Sequence, residues 1–191
     1  MNTLQAIADR RSIRKFDPRP VPHELVERVI VAAHQAPSAK NGQPWRFVAL
    51  EGEQHLKLAH LMRDRAVALK AAGEEIGSLA WTAHAMENAS ATVVVFHRPP
   101  PAEVPAQFHD DWQFVMLQST GAAIQNMLLA AQELGLGSLW ICDILYCADE
   151  VKEWLGKGDH TLIACVTLGY PAEAPAARPR LPLDQVVEWR S

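Results

Sequence analysis

The stretch RRSIRKF, residues 10–16, combines four cations, one hydroxyl and one aromatic ring in seven positions. In an extended chain the side chains at i, i+2 and i+4 share one face, so Arg10, Ser12 and Arg14 are predicted to point the same way, with Ile13 opposite. Two guanidinium groups and a hydroxyl on one face can hold a phosphate or another oxyanion. Taken alone, the stretch is more typical of a solvated charged turn, so the rest of the chain has to decide between the two.

The composition is that of an ordinary globular protein. The 191 residues suit one domain, 1–191, with a substantial core, since 49% are hydrophobic and 21% are charged. A net charge of −4 argues against nucleic-acid binding as the main role. The sequence shows neither a signal-peptide pattern nor a membrane span. Three cysteines without a CxxC pair favour a reducing compartment, so we expect a cytoplasmic protein without a disulfide framework or a metal site.

Hydrophobic periodicity predicts helices and strands along most of the chain. Helices are predicted over residues 3–10, 23–36, 53–72, 74–88, 110–134 and 149–155. Strands are predicted over residues 46–50, 91–96, 138–142 and 161–168. Leu4 and Ile7 are expected on the inner face of the first helix. The proline-rich segment 98–107 is predicted to be a surface loop and is a candidate lid over a site.

From Tyr170 onward the composition changes to an extended tail, residues 170–191. Prolines interrupt this tail at Pro171, Pro175, Pro179 and Pro182. Its end carries Val186, Val187 and Trp189, apolar residues that need a surface to bury against. A tail of this kind is typical of a segment that wraps around a partner subunit.

Several common chemical signatures are missing from the sequence. There is no GxGxxG after a strand, no GxxxxGK[ST] and no GxSxG, so a Rossmann dinucleotide domain, a P-loop and a nucleophile elbow have no support. His109, Asp110 and Asp111 precede a helix, where acidic residues favoured by the helix dipole explain them better than a metal site. Cys142 is a candidate nucleophile, but nothing in the sequence pairs it with a histidine.

Four motifs in a fixed order carry a family resemblance. They are the RRSxRxF opening, the PSxxNxQPW loop near position 40, the AAxQNxxLAAxxLGLGSLWI helix and strand, and the basic tail. In kind and spacing the chain resembles the FMN-dependent nitroreductase family over nearly its whole length. The resemblance implies an α+β fold with a central mixed β-sheet flanked by helices and a C-terminal tail swapped onto the partner subunit.

The resemblance also implies a set of flavin contacts. Arg10 and Ser12 correspond to residues that hold the FMN phosphate, with Arg11 contributing mostly its backbone. Arg14 corresponds to the cation beside N1 and O2 of the isoalloxazine. Reduction places negative charge there, so a fixed guanidinium stabilises the reduced flavin.

Further contacts are implied at three other segments. The loop that reaches the flavin from the other subunit corresponds to Pro37, Ser38, Ala39 and Asn41. The strand end whose N–H groups face N5 and O4 corresponds to Trp140, Ile141, Cys142 and Asp143. Arg178 and Arg180 correspond to tail cations that close on the phosphate and ribityl chain, and Ser119 to a polar position near the site. Many relatives carry Gly or Glu where this chain has Cys142 and Asp143, a change that narrows the pocket and disfavours an anionic substrate.

The function implied is that of a homodimeric oxidoreductase with FMN at the subunit interface. Hydride would pass from NADH or NADPH through the flavin to a small electron-poor acceptor such as a nitroaromatic or quinone, in a ping-pong sequence. No side chain need act as a catalytic acid or base. The alternatives are other flavin chemistry on the same scaffold (dehalogenation or flavin fragmentation), a non-catalytic flavin-binding module, and an interaction protein that uses its apolar tail.

Overall fold

A five-stranded sheet lies at the centre of the computed structural model, which describes residues 2–190. Its strands are β1 Phe16–Asp17, β2 Trp45–Glu51, β3 Ala91–His97, β4 Gly137–Ile141 and β5 Thr161–Pro171. β5 is central, with β3 and then β2 on one side, β4 along the other edge, and β1 at its C-terminal end. Every ladder among the described residues is antiparallel. The parallel component of the predicted mixed sheet is a single bridge between Ser12 and Ser138.

Six α-helices surround the sheet in the described part of the chain. They are α1 Thr3–Asp9, α2 His23–His34, α3 Gly52–Ala71, α4 Leu79–Glu87, α5 His109–Glu133 and α6 Ala148–Trp154. Each corresponds to a predicted helix. The loop predicted over residues 98–107 is confirmed, except that a short 3-10 helix, Ala106–Phe108, begins near its end. α4 starts later than the predicted residue 74. The reason is that Gly73 and Gly77 adopt φ of +79° and +49°, values that end a helix rather than continue it.

Apolar residues cover both faces of the sheet and explain why β3 is buried along its whole length. Val93 and Val95 face α2 and α5, whereas Val94 and Phe96 face α3, α4 and α6. On the first side, small residues of α5 let α2 approach closely enough for Asn126 to donate a hydrogen bond of 3.1 Å to a carbonyl of α2. The helices on both sides therefore bury the two faces of the sheet.

The apolar face of α1 points away from the core. Leu4 and Ile7 are 78% and 50% exposed, so their predicted place on the inner face is wrong, and Ala6 is the buried residue of the helix. The reason is geometric, because the short helix touches α5 through Ala6 while Leu4 and Ile7 point outward. The tail adds further exposed apolar side chains, of which Trp189 is 84% exposed. Both segments therefore expose large apolar side chains in a single copy of the chain.

Two glycines let the basic stretch lie flat against the sheet. A Cβ added at Gly137 would come within 2.9 Å of Ile13, and one added at Gly169 within 2.6 Å of Phe16. Ile13 and Phe16 are consequently buried, and the Ile13 amide donates a 3.0 Å hydrogen bond to the Ser138 carbonyl. The alternation predicted for residues 10–14 is confirmed, since Ile13 faces the sheet and its neighbours do not.

Acid should weaken the fold through a buried histidine. His55 lies 3.0 Å from the Thr92 hydroxyl, which donates to Thr167 at 2.9 Å, and burial lowers the pKa of His55 below its usual value. The unfolded chain protonates this group near pH 6.5 and the folded chain only at lower pH, so stability is expected to fall as pH drops below about 6.5. The slope from this residue is at most about 1.4 kcal/mol per pH unit. Urea unfolding at pH 7.5 and 5.5 measures it.

A variant identifies the group responsible for this acid sensitivity. His55→Phe removes the titrating ring and should flatten the dependence of unfolding free energy on pH, whatever it does to stability at pH 7.5. An equal loss of stability between the two pH values in the wild-type chain and the variant would contradict the assignment.

Candidate functional site

A cleft of about 350 Å³ opens beside the basic stretch and joins it to the tail. Its polar lining is Arg10, Arg11, Ser12, Arg14, Arg178 and Arg180. β1 and the bridge at Ser12 hold the first segment, whereas residues 172–180 follow β5 without regular structure. Six of the residues singled out in the sequence therefore meet in one place, although more than 150 positions separate the two segments along the chain.

The cleft is strongly positive. It brings five guanidinium groups together, and no carboxylate is among the residues that line it in the described chain. The pKa of Arg10 is lowered, mainly by burial and then by the positive charges of Arg180 and Arg11. Mutual repulsion of this kind is relieved by a bound anion, and a phosphate with several oxygens fits guanidinium groups best. The Arg11 side chain turns onto its own backbone, donating to the carbonyls of Ala8 at 2.7 Å and Arg10 at 2.9 Å.

Arg14 has hydrogen-bonding capacity left over. Its Nη1 donates to the Ser12 carbonyl at 2.9 Å, while its buried Nε has no hydrogen-bond partner within residues 2–190. An unsatisfied buried donor costs about 1–3 kcal/mol. The backbone around it is fixed, because a Glu173 carboxylate oxygen accepts from the amides of Arg14 at 2.6 Å and Lys15 at 3.1 Å. The Nε donor of Arg14 fits a ligand that offers a further polar or anionic acceptor beside the group held by the other cations.

The end of β4 is tied to the start of α4. Ile141 is buried, Cys142 is exposed, and the Asp143 Oδ2 accepts hydrogen bonds from Ser78 at 2.6 Å and Thr82 at 2.8 Å. Partial desolvation of the thiol and the Asp143 charge raise the pKa of Cys142, which leaves it a poor nucleophile at neutral pH. The carboxylate expected to repel anionic substrates is therefore engaged in a structural contact.

Trp81 on α4 contacts the site although the sequence reasoning did not single it out. The Arg14 Cζ lies 4.8 Å from the centre of the Trp81 ring, within the range of a cation–π contact. Helical periodicity alone does not distinguish this tryptophan from a core residue, and only its 53% exposure in the structure marks it. Glu173 and Ser78 were missed for a similar reason, because their partners are far away in the sequence.

Removing the Asp143 carboxylate is expected to destabilise the protein. Asp143→Ala leaves the Ser78 hydroxyl without its acceptor, whereas the Thr82 hydroxyl can still donate to the carbonyls of Ser78 at 3.2 Å or Leu79 at 3.1 Å. Because one charged hydrogen bond is lost outright at a partly exposed site, we expect a loss of about 1.5 kcal/mol, the low end for hydrogen bonds to a charged group. Urea unfolding measures the effect. The control is Asp64→Ala, which removes an exposed carboxylate 3.3 Å from Arg63 and should cost less than about 0.5 kcal/mol. Equal effects of the two substitutions would contradict the role given to Asp143.

The loop with Pro37, Ser38, Ala39 and Asn41 lies elsewhere in the same chain. The Ala39 amide donates to the Ser119 hydroxyl on α5 at 3.4 Å, while Gln132, farther along α5, lies beside Arg11. At 1.5 Å per residue, these two positions on α5 are about 20 Å apart. One chain therefore brings together the Arg10 segment and the tail cations but leaves this loop, and Ser119 with it, at a distance.

Comparisons with known proteins identify the family of this chain. A sequence model of the nitroreductase family matches residues 7–170, and the chain belongs to that family. It is 35% identical over 176 residues to a protein of Archaeoglobus fulgidus provisionally named NADH dehydrogenase/NAD(P)H nitroreductase, covering 89% of this chain and 86% of that protein. It is 29% identical over 188 residues to the NADPH-flavin oxidoreductase of Vibrio harveyi, covering 97% of this chain and 72% of that protein.

Solved structures extend the comparison to the fold. A protein from Desulfovibrio desulfuricans in complex with FMN superposes with a TM-score of 0.76 at 26% identity, covering 100% of this chain and 98% of that one. In this chain, no helix within residues 2–190 is long and apolar enough to cross a membrane. Nor do three or more His, Cys, Asp or Glu side chains of that range gather where they would hold a metal ion.

Proposed function

We propose that this chain is an NAD(P)H-dependent oxidoreductase that binds FMN. The observation that carries the proposal is the cleft with five guanidinium groups and an Arg14 Nε that has no hydrogen-bond partner within residues 2–190. The Vibrio harveyi relative is named for NADPH and flavin, and the Desulfovibrio desulfuricans relative holds FMN, which supports the same cofactor here. When bound, FMN would supply hydride transfer from NAD(P)H to an electron-poor acceptor such as a nitroaromatic or quinone, in a ping-pong sequence.

The chain's own residues bind and orient in this proposal. Arg10, Ser12, Arg178 and Arg180 hold the phosphate, each cation through a charge-assisted contact. Arg14 keeps a positive charge where negative charge develops on reduction. The backbone from Ile141 to Asp143 offers its N–H groups to the ring edge. No side chain has to give or take a proton in the hydride step, so orientation and charge are the protein's contribution.

A second copy of the chain completes the proposed site. The loop from Pro37 to Asn41 stands about 20 Å along α5 from the Arg11 end of the cleft, too far for the same chain to supply both. The exposed side chains of Leu4, Ile7 and Trp189 offer apolar surface for the interface. We infer a homodimer in which residues 181–190 cross to the partner, while residues 175–180 stay against their own cleft.

A visible spectrum followed by anaerobic reduction tests the function. The purified protein is expected to show flavin absorbance, or to gain it on addition of FMN, and to bleach when NADH or NADPH is added without oxygen. Flavin that stays oxidised with both donors would favour a non-catalytic binding module. A colourless protein that takes up no FMN would overturn the proposal.

A further inference from the structure

We infer that Trp81 is a positioning residue that holds the Arg14 guanidinium in the flavin cleft, and that it thereby makes the site favour reduced over oxidised FMN. The inference rests on the proposed function. It concerns a residue outside the cleft, on a helix that no sequence motif singled out. Trp81 acts through Arg14 rather than on the flavin.

The contact itself is the first argument. Arg14 makes one hydrogen bond through its side chain, to the Ser12 carbonyl, and its Nε has no partner among the described residues. The indole of Trp81 is a second group that restrains the guanidinium, at 4.8 Å from Cζ to the ring centre. A long arginine side chain held by so few contacts would otherwise keep much of its rotamer freedom.

The exposure of Trp81 is the second argument. The buried residues of α4 are Leu79, Thr82, Ala83, Ala85 and Met86, whereas Trp81 stays 53% exposed. A large aromatic at such a position adds little to the core. One face of its ring is occupied by a cation, which gives the residue a role that core packing does not.

The anchoring of α4 is the third argument. Ser78 stands at the N-cap of α4, yet its hydroxyl makes no capping hydrogen bond and donates to Asp143 instead. Thr82, the residue after Trp81, donates to the same carboxylate oxygen. The first turn of α4 is thus held from the end of β4, and Trp81 in that turn is fixed relative to the basic stretch.

The consequence is electrostatic. A cation fixed in place stabilises developing negative charge without reorganising, whereas a mobile one must first be ordered. Arg14 held by Trp81 is therefore expected to favour the reduced flavin more than the oxidised one. Loss of the ring should weaken binding of both forms and should weaken binding of the reduced form more.

The test compares Trp81→Leu, Trp81→Phe and a control. FMN affinity is measured by titration of the flavin-free protein, and the midpoint potential of bound FMN by anaerobic reductive titration. Trp81→Leu should weaken FMN binding roughly two- to fivefold, the range expected for a half-exposed cation–π contact, and should shift the potential to a more negative value. Trp81→Phe keeps a ring face and should fall between Trp81→Leu and the wild-type chain.

The control is a similar pair far from the cleft. Lys57 lies 4.6 Å from the centre of the Trp154 ring, on helices that do not line the cleft. Trp154→Leu should therefore change neither the FMN affinity nor the potential. A potential that moves equally in Trp154→Leu and Trp81→Leu would overturn the inference.

A double-mutant cycle decides whether Trp81 works through Arg14. In an Arg14→Ala background, Trp81→Leu should have no further effect on potential or affinity. The same effect in both backgrounds, or a weaker affinity with an unchanged potential, would overturn the inference. If Trp81→Leu does not fold, Trp81→Phe is measured in both backgrounds. A wild-type chain that binds no FMN would instead overturn the proposed function, so the two failures are distinguishable.

Discussion

Deletion of residues 178–191 is expected to remove both flavin binding and dimer formation. The deletion takes away Arg178 and Arg180, two of the five guanidinium groups in the cleft. Each charge-assisted contact is worth about 1.5–3 kcal/mol, so FMN affinity should fall by at least roughly a hundredfold. The same deletion removes exposed apolar side chains, including Trp189, that we assign to the subunit interface. The FMN-to-protein absorbance ratio and light scattering after gel filtration measure the two effects.

A shorter deletion separates the two roles of the tail. Removing residues 181–191 keeps both arginines but loses Leu181, Leu183, Val186 and Trp189. It should shift the protein toward the monomer while the cleft keeps part of its affinity for inorganic phosphate. A stable, yellow monomer from the longer deletion would contradict the assignment of the tail.

Single substitutions of arginines in the cleft are expected to cause the second large loss of FMN affinity. Arg10→Ala and Arg14→Ala each remove one charge-assisted contact and should weaken FMN binding roughly ten- to hundredfold. The stability of the flavin-free protein should not fall in Arg10→Ala, because burial and neighbouring cations lower the pKa of Arg10 and so disfavour its charged form. Titration with FMN and urea unfolding of the flavin-free protein measure the two quantities.

A cation outside the cleft serves as the control for this experiment. Arg63 pairs with Glu87 at 2.9 Å on the surface, and Arg63→Ala should leave FMN affinity unchanged. Unchanged flavin occupancy in both Arg10→Ala and Arg14→Ala would contradict the phosphate assignment.

Local patterns in the sequence account for much of the fold and for part of the site. The two-residue period of an extended chain is enough to separate Ile13 from Arg10, Ser12 and Arg14. The run 91–96, in which five of six residues are apolar, is enough to identify the strand that is covered on both faces. These patterns depend only on near neighbours, and the structure confirms them.

The same local patterns could not predict contacts between segments that are distant in the sequence. The inner-face prediction for Leu4 and Ile7 was wrong because helical spacing identifies an apolar face without showing what covers it. The Arg14–Trp81 contact and the Asp143 hydrogen bonds join positions about sixty residues apart, and no local period records such a pairing. The position of the loop at Pro37 is harder still to predict from local patterns, because its proposed place in the site depends on a second copy of the chain.

The central position of β5 has a consequence for biosynthesis. β3 is synthesised well before β5, one of the two strands that pair with it, because residues 98–160 lie between them in the sequence. Until then β3, apolar on both faces, has an unpaired edge, and such edges favour association between chains. We therefore expect the nascent chain to need protection on the ribosome and to reach its native sheet only after synthesis is nearly complete.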